Sequence, residues 1–174
     1  MTKTVDFVDI VLLGEVRGVA QLGSVIYVVC RESSVVKTYS ADTLSPLSHY
    51  INVEEMTAPR DMAACRRDRQ LYIAELNCIW RLSGHDHVCV KWLSTESVAD
   101  MFDCRSLSLT SDRLLVTSWR TPSVRQYNTT DRQRLQVVRL PEYMKPWHGV
   151  ETTRDTFLVD HEGTADDKRQ FAVS

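Results

Sequence analysis

Four basic side chains recur at nearly constant spacing in this 174-residue chain: Arg17, Arg60, Arg105 and His148 stand 43, 45 and 43 residues apart. A guanidinium is a planar fork that matches a carboxylate or a phosphate. Three such forks and an imidazole brought together would make a concentrated positive field on a chain whose formal net charge is −2. The chemistry open to such a set is anion capture. The same field would repel a divalent cation, which argues against a catalytic metal at these positions. The plainer role for each arginine is to pair with a nearby acid or to lay its stem along a neighbouring segment.

Regular spacing of this kind marks a repeating fold, and a period near 44 is that of a four-stranded propeller blade. Each basic residue opens a short strand, at 17–20, 60–63, 105–108 and 148–151. A second apolar run follows at 25–29, 71–74, 114–117 and 156–159. In the first three units Val36, Ile79 and Val124 keep one phase, and Tyr39, Leu82 and Tyr127 keep another three residues on. A separation of three puts the two sets on opposite faces of a strand. One set is expected between blades and the other on a blade's outer flank. Turns rich in Ser, Asp, Gly and Thr then lead to a fourth strand at 49–53, 88–92 and 135–138. The expected fold is all-β, a β-propeller of about four four-stranded blades, with units at 14–58, 59–103, 104–146 and 147–174. Residues 5–13 stand where an outer closing strand would, and residues 169–173 can add a third strand to the last unit.

Composition fits that class. The chain is 43% hydrophobic and 25% charged, ordinary for a globular domain. The apolar stretch at 10–13 with Val8 is far too short to span a bilayer, so no membrane association is expected. Asp6 and Asp9 and the lack of a small-residue cleavage site do not read as a secretory signal, which predicts a cytoplasmic protein. Five cysteines without a C-x-x-C pair read as reduced, buried thiols. A hairpin turning at Ser83-Gly84 would set Cys78 opposite Cys89, within reach of a bridge. The sequon Asn128-Thr129-Thr130 would matter only outside the cell.

Residues 58–63 (Ala-Pro-Arg-Asp-Met-Ala), then 71–75 (Leu-Tyr-Ile-Ala-Glu) and 77–81 (Asn-Cys-Ile-Trp-Arg) resemble the NHL repeat. Its pattern runs Pro-x-Gly-apolar-Ala, Tyr-apolar-Ala-Asp, then Asn-x-apolar and a basic residue. Gly18 and Gly149 keep the repeat's glycine, whereas Asp61 and Ser106 replace it; Glu75 stands for the usual Asp, while Cys30, Ser118 and His161 do not. NHL-like propellers usually close with six blades. The resemblance therefore implies an open arc or part of a six-bladed propeller, with edges that would favour self-association.

For function, these observations predict a non-catalytic binding scaffold that engages a protein partner with an acidic surface, with Arg17, Arg60, Arg105 and His148 as the ligand-binding set and no cofactor. Two alternatives stand beside it. Some NHL-like propellers bind RNA, and here basic residues cluster at Arg66, Arg67 and Arg69, at Arg120 and Arg125, and at Arg132, Arg134 and Arg139, near Trp119, Tyr127 and Trp147. The pI of about 6.2 speaks against a dedicated nucleic-acid domain. The other alternative is a gluconolactonase-like metal-dependent hydrolase. His85, His87 and Cys89 alternate around one turn and nothing nearby in sequence completes a tetrahedral site; 160–162 and Asp166-Asp167 read as surface loops.

Overall fold

The computed structural model describes residues 14–94, 103–162 and 171–173, and these form fifteen β-strands with no helix among them. The first blade is the meander β1 (Val16–Leu22), β2 (Val25–Cys30), β3 (Val35–Ser40) and β4 (Ile51–Asn52). The second is β5 (Asp61–Cys65), β6 (Gln70–Ala74), β7 (Cys78–Ser83) and β8 (Cys89–Ser94). The third is β9 (Cys104–Thr110), β10 (Arg113–Ser118), β11 (Ser123–Asn128) and β12 (Arg134–Arg139). The fourth has β13 (Lys145–Thr153), β14 (Thr156–Glu162) and β15 (Phe171–Val173), the last paired antiparallel to β14. Inner strands follow one another, β1 against β5, β5 against β9 and β9 against β13, so the four blades make an open arc. The closing strand expected at 5–13 lies outside the described residues.

Blades join through three apolar layers. Between blades I and II lie Tyr27, Val29, Val36, Leu71, Ile73, Trp80 and Leu82; between II and III, Tyr72, Ile79, Trp92, Leu107, Leu114 and Tyr127; between III and IV, Leu115, Val124, Leu140, Phe157 and Val159. Each buried side chain of this size contributes about 1.5–3 kcal/mol by leaving water. In the middle layer Trp92 meets Tyr72 and Tyr127 edge-on, at centroid distances of 5.1 and 6.3 Å. Burial there pushes the Tyr72 hydroxyl up to about 12.

The two phased sets do fall on opposite faces, but both faces are interblade. Val36, Ile79 and Val124 point toward the following blade, whereas Leu82 and Tyr127 point back toward the preceding one. An outer-flank role is therefore corrected: a propeller blade is sandwiched on both sides, and only an end blade has a flank. Tyr39, in the first blade, has no preceding layer among the described residues and is half-buried.

The cysteine pairing is corrected as well. Ser83 N–H donates to Val88 O at 2.9 Å, so the β7–β8 turn is longer than a tight hairpin. Cys89 then sits opposite Leu82, and Cys78 opposite Ser94. All five thiols are free. Burial and the Glu75 carboxylate push the Cys78 thiol up to about 12, which disfavours its thiolate.

That carboxylate fixes the crossing from blade I into blade II. Glu75 Oε1 accepts from the backbone N–H groups of Thr57 and Ala58, both at 2.7 Å, and Oε2 accepts from Trp80 Nε1 at 2.7 Å and from Cys78 Sγ at 3.4 Å. Burial alone would push its pKa up. The four donors outweigh burial and hold the carboxyl below its usual range.

Candidate functional site at the channel mouth

All four inner strands begin at the same end of the arc, and an irregularity in pairing aims a side chain there. In β1, Val16 pairs with Cys30 and Gly18 with Val29, which leaves Arg17 as the extra residue of a bulge. In β9, Cys104 pairs with Ser118 and Ser106 with Thr117, which does the same for Arg105. Arg60 stands just before β5, its N–H bonded to Ala74 O at 2.8 Å while Asp61 takes Ala74 as register partner. Bulges commonly re-aim a side chain at a rim. In blade IV the extra residue is Trp147, because Pro146 pairs with His161 and His148 with Asp160. The basic position read from the sequence is thus displaced by one residue: an indole takes the bulge, and exposed His148 sits beside it.

These residues are close enough to feel one another. Burial lowers the Arg105 pKa, and the charges of Arg60 and Arg17 lower it further. Asp61 lies beneath them. Its carboxylate accepts the N–H groups of Met62 and Leu107, each at 2.8 Å, and so ties blade II to blade III. Burial raises the Asp61 pKa, opposed by these two N–H groups and by the charges of His148 and Arg105. Inner strands approach closely at this level: a Cβ added to Gly18 would lie 2.6 Å from Met62 N and 2.9 Å from the Asp61 carbonyl carbon.

The four members differ in what they touch. Arg17 pairs with Glu15 at 2.7 Å, a carboxylate that also holds Arg31 at 3.1 Å. Arg60 Nη1 pairs across the blade boundary with Asp103 Oδ1 at 2.5 Å. Arg105 makes no ion pair with a described residue; its guanidinium lies 3.8 Å from the centroid of the Trp147 ring and 5.1 Å from that of Trp119. Those indoles are 5.3 Å apart at 41°, and Lys145 Nζ lies 5.7 Å from the Trp119 centroid. Trp147 remains 36% exposed. Blades I and II therefore carry neutralised cations, whereas blades III and IV present a cationic and aromatic surface.

Sequence reasoning missed the acids and Lys145. The spacing carried a signal for Glu15, two residues before Arg17; Asp103 stands in the same place before Arg105 but pairs with Arg60. The remaining candidates fall elsewhere. Arg66, Arg67 and Arg69 sit at the β5–β6 turn, at the far end of the inner strand, with Arg67 paired to Asp68 at 2.9 Å. His87 stacks on His49 of blade I at 5.3 Å, and Asp86 accepts the Val88 N–H at 3.2 Å. No group of three or more His, Cys, Asp or Glu among the described residues is placed to hold a metal ion. In the sequon, Asn128 Oδ1 accepts the Thr130 N–H at 2.8 Å in a turn after β11. Asp166 and Asp167 lie outside the described residues.

No family model matches the chain, and no curated protein matches it in sequence. Its likenesses are to solved structures. Hydrazine synthase of Kuenenia stuttgartiensis superposes with a TM-score of 0.71 at 15% identity, over 87% of this chain and 45% of that one. A chain of the nidogen/laminin complex gives 0.69 at 16% identity, over 91% and 60%. The WD40 β-propeller domain of Doa1 gives 0.61 at 15% identity, over 84% and 48%. The fold is a β-propeller. The chain spans about half the length of the structures it matches, and at such identities the likeness speaks to fold alone.

Proposed function

We propose that this chain is a non-catalytic binding scaffold, of the kind the NHL-like repeat implies, whose mouth face captures a protein partner through an acidic surface. The observation that carries the reading is Arg105: a half-buried guanidinium without a carboxylate among the described residues, laid on two indoles beside Lys145 and His148. Aromatic rings hold a guanidinium in place while leaving its N–H edge free to donate, and an aromatic and arginine cluster is the composition of an interface hot spot. A carboxylate arriving there would gain a charge-assisted bond without displacing an internal partner. Five free cysteines suit a reducing, cytoplasmic setting, which belongs to the same proposal.

An exposed indole beside cations is also a platform for an unstacked base, and this favours single-stranded RNA as the second reading. The two separate by titrating the intact chain with a fluorescein-labelled deca-glutamate peptide and an oligouridylate of equal charge, followed by anisotropy. The scaffold reading expects the peptide to bind more tightly, with affinity falling as salt rises. Tighter binding of the oligouridylate transfers the function to RNA, and no binding of either removes the mouth from consideration.

A further inference from the structure

The arc ends in two unmatched faces and one unfinished blade. In blade I the register sets Val19 against Val28 and Gln21 against Ile26, with Tyr39 beyond Ile26 and Lys37 beyond Val28. The places of Val19, Ile26 and Tyr39 are taken in blade II by Met62, Leu71 and Leu82, which are buried in the layer against blade I. Val19 is 57% exposed where Met62 is 5% exposed. The side of blade I turned away from blade II is thus an interblade face that carries no blade among the described residues.

At the other end Phe157 and Val159 point into the layer with blade III, so strand alternation turns Val150, Leu158 and Asp160 outward. Val150 and Leu158 pair with each other and are half-buried, while Asp160 is exposed. Lys37 on the first end face and Asp160 on the second give the two faces opposite charge. Blade IV also stops at three strands: β15 pairs with β14, and its other edge carries no strand among the described residues.

The topology says where a fourth strand comes from. β4 precedes β5 in the chain yet pairs with β3, so it completes the blade before the one that β5 opens. β8 and β12 stand in the same relation to β9 and β13. By that rule the segment before β1 belongs to the blade that precedes blade I. Residues 5–13, with Val5, Phe7, Val8, Ile10 and Val11, have the β-branched and aromatic content of a strand. Within one arc no blade precedes blade I; two arcs joined head to tail place blade IV of the second copy there. The chain covers 45% and 48% of two of the structures it superposes on, so a second arc contributes about what one arc lacks.

We propose that two copies of this chain close a single ring, the blade I end of each packing on the blade IV end of the other, with residues 5–13 of each copy added as the fourth strand beside β15 of its partner. The two junctions are equivalent, so the assembly has closed two-fold symmetry and leaves neither an apolar end face nor the β15 edge bare. The occupant is an extended strand added to an open sheet edge, which main-chain hydrogen bonds hold.

The test is sedimentation equilibrium of the intact chain, joined to photo-crosslinking. The chain should sediment at twice its 20.0 kDa mass. Val19→Glu would bury a charge at the junction and should weaken dimerisation at least about tenfold, with the far-UV circular dichroism unchanged because Val19 is exposed in the single arc. Leu135→Glu, on the exposed side of β12, should change it less than about twofold. Benzoylphenylalanine in place of Phe7 should, on irradiation, join two chains through a peptide that contains residues 171–173. A monomer up to millimolar concentration, growth into larger open-ended oligomers, undiminished dimerisation in Val19→Glu, or crosslinks that stay within one chain each overturn the proposal.

Discussion

The arm formed by blades I and II and the arm formed by blades III and IV use one repeat position in two ways. In the first arm Arg17 and Arg60 are neutralised by Glu15 and Asp103, and the linker into blade II is pinned by Glu75. In the second arm Arg105 rests on Trp119 and Trp147, with Lys145 beside them. The bulge geometry that aims the side chain is shared by Arg17, Arg105 and Trp147. The difference therefore comes from what lies beside the side chain in space: a carboxylate within reach of Arg17 and of Arg60, two indoles against Arg105. A position conserved in phase by the fold is free to serve packing in one blade and recognition in the next.

Glu75 offers the sharpest break of the first arm. Glu75→Gln would set an amide N–H₂ against the Trp80 indole N–H and the Cys78 thiol, or against the Thr57 and Ala58 N–H groups if flipped, and should cost about 3 kcal/mol in urea unfolding. The same group predicts a pH dependence. Because the carboxyl is held below its usual range, its stabilisation is complete above the ordinary carboxylate pKa and is lost as pH falls through the lower folded-state value. Acid melts should show that loss in the parent protein and its attenuation in Glu75→Gln.

Next in size is Gly18→Ala, whose methyl would lie 2.6 Å from Met62 N, a backbone atom that cannot swing aside. A cost of about 2 kcal/mol is expected in thermal or urea unfolding. A neutral outcome would mean that blades I and II are packed less tightly at the mouth than described.

Arg60→Ser should cost about 1 kcal/mol, since it leaves Asp103, with a side chain 14% exposed, without its cross-blade partner. Arg105→Ser should change stability least, by less than about 1 kcal/mol, because only contacts with partly exposed indoles are lost. Reversal of that order would erase the distinction between the paired and the stacked arm.

Much of the fold was legible because a blade repeats its constraints. The period marked the inner strands, and buried positions such as Ile79 and Val124 kept phase across units. Less was legible at the site. Strand pairing is set by hydrogen bonds that shift where a bulge intervenes, so sequence phase pointed to His148 where the bulge exposes Trp147. Nor does spacing within one unit reveal partners that lie on the next blade: Asp103, which holds Arg60, and Leu107, whose N–H holds Asp61. The longer β7–β8 turn, which moved Cys89 opposite Leu82, has no Asn-Gly or Asp-Gly signature to set its length.

The most direct test of the contrast between the arms is the affinity of the labelled deca-glutamate peptide for Arg105→Ser and Arg17→Ser, measured side by side at one ionic strength. The account predicts a loss of about tenfold for Arg105→Ser, as one charge-assisted contact is removed, and less than about twofold for Arg17→Ser, whose guanidinium is already engaged by Glu15. Equal losses in both variants, or a larger loss at Arg17, would contradict it.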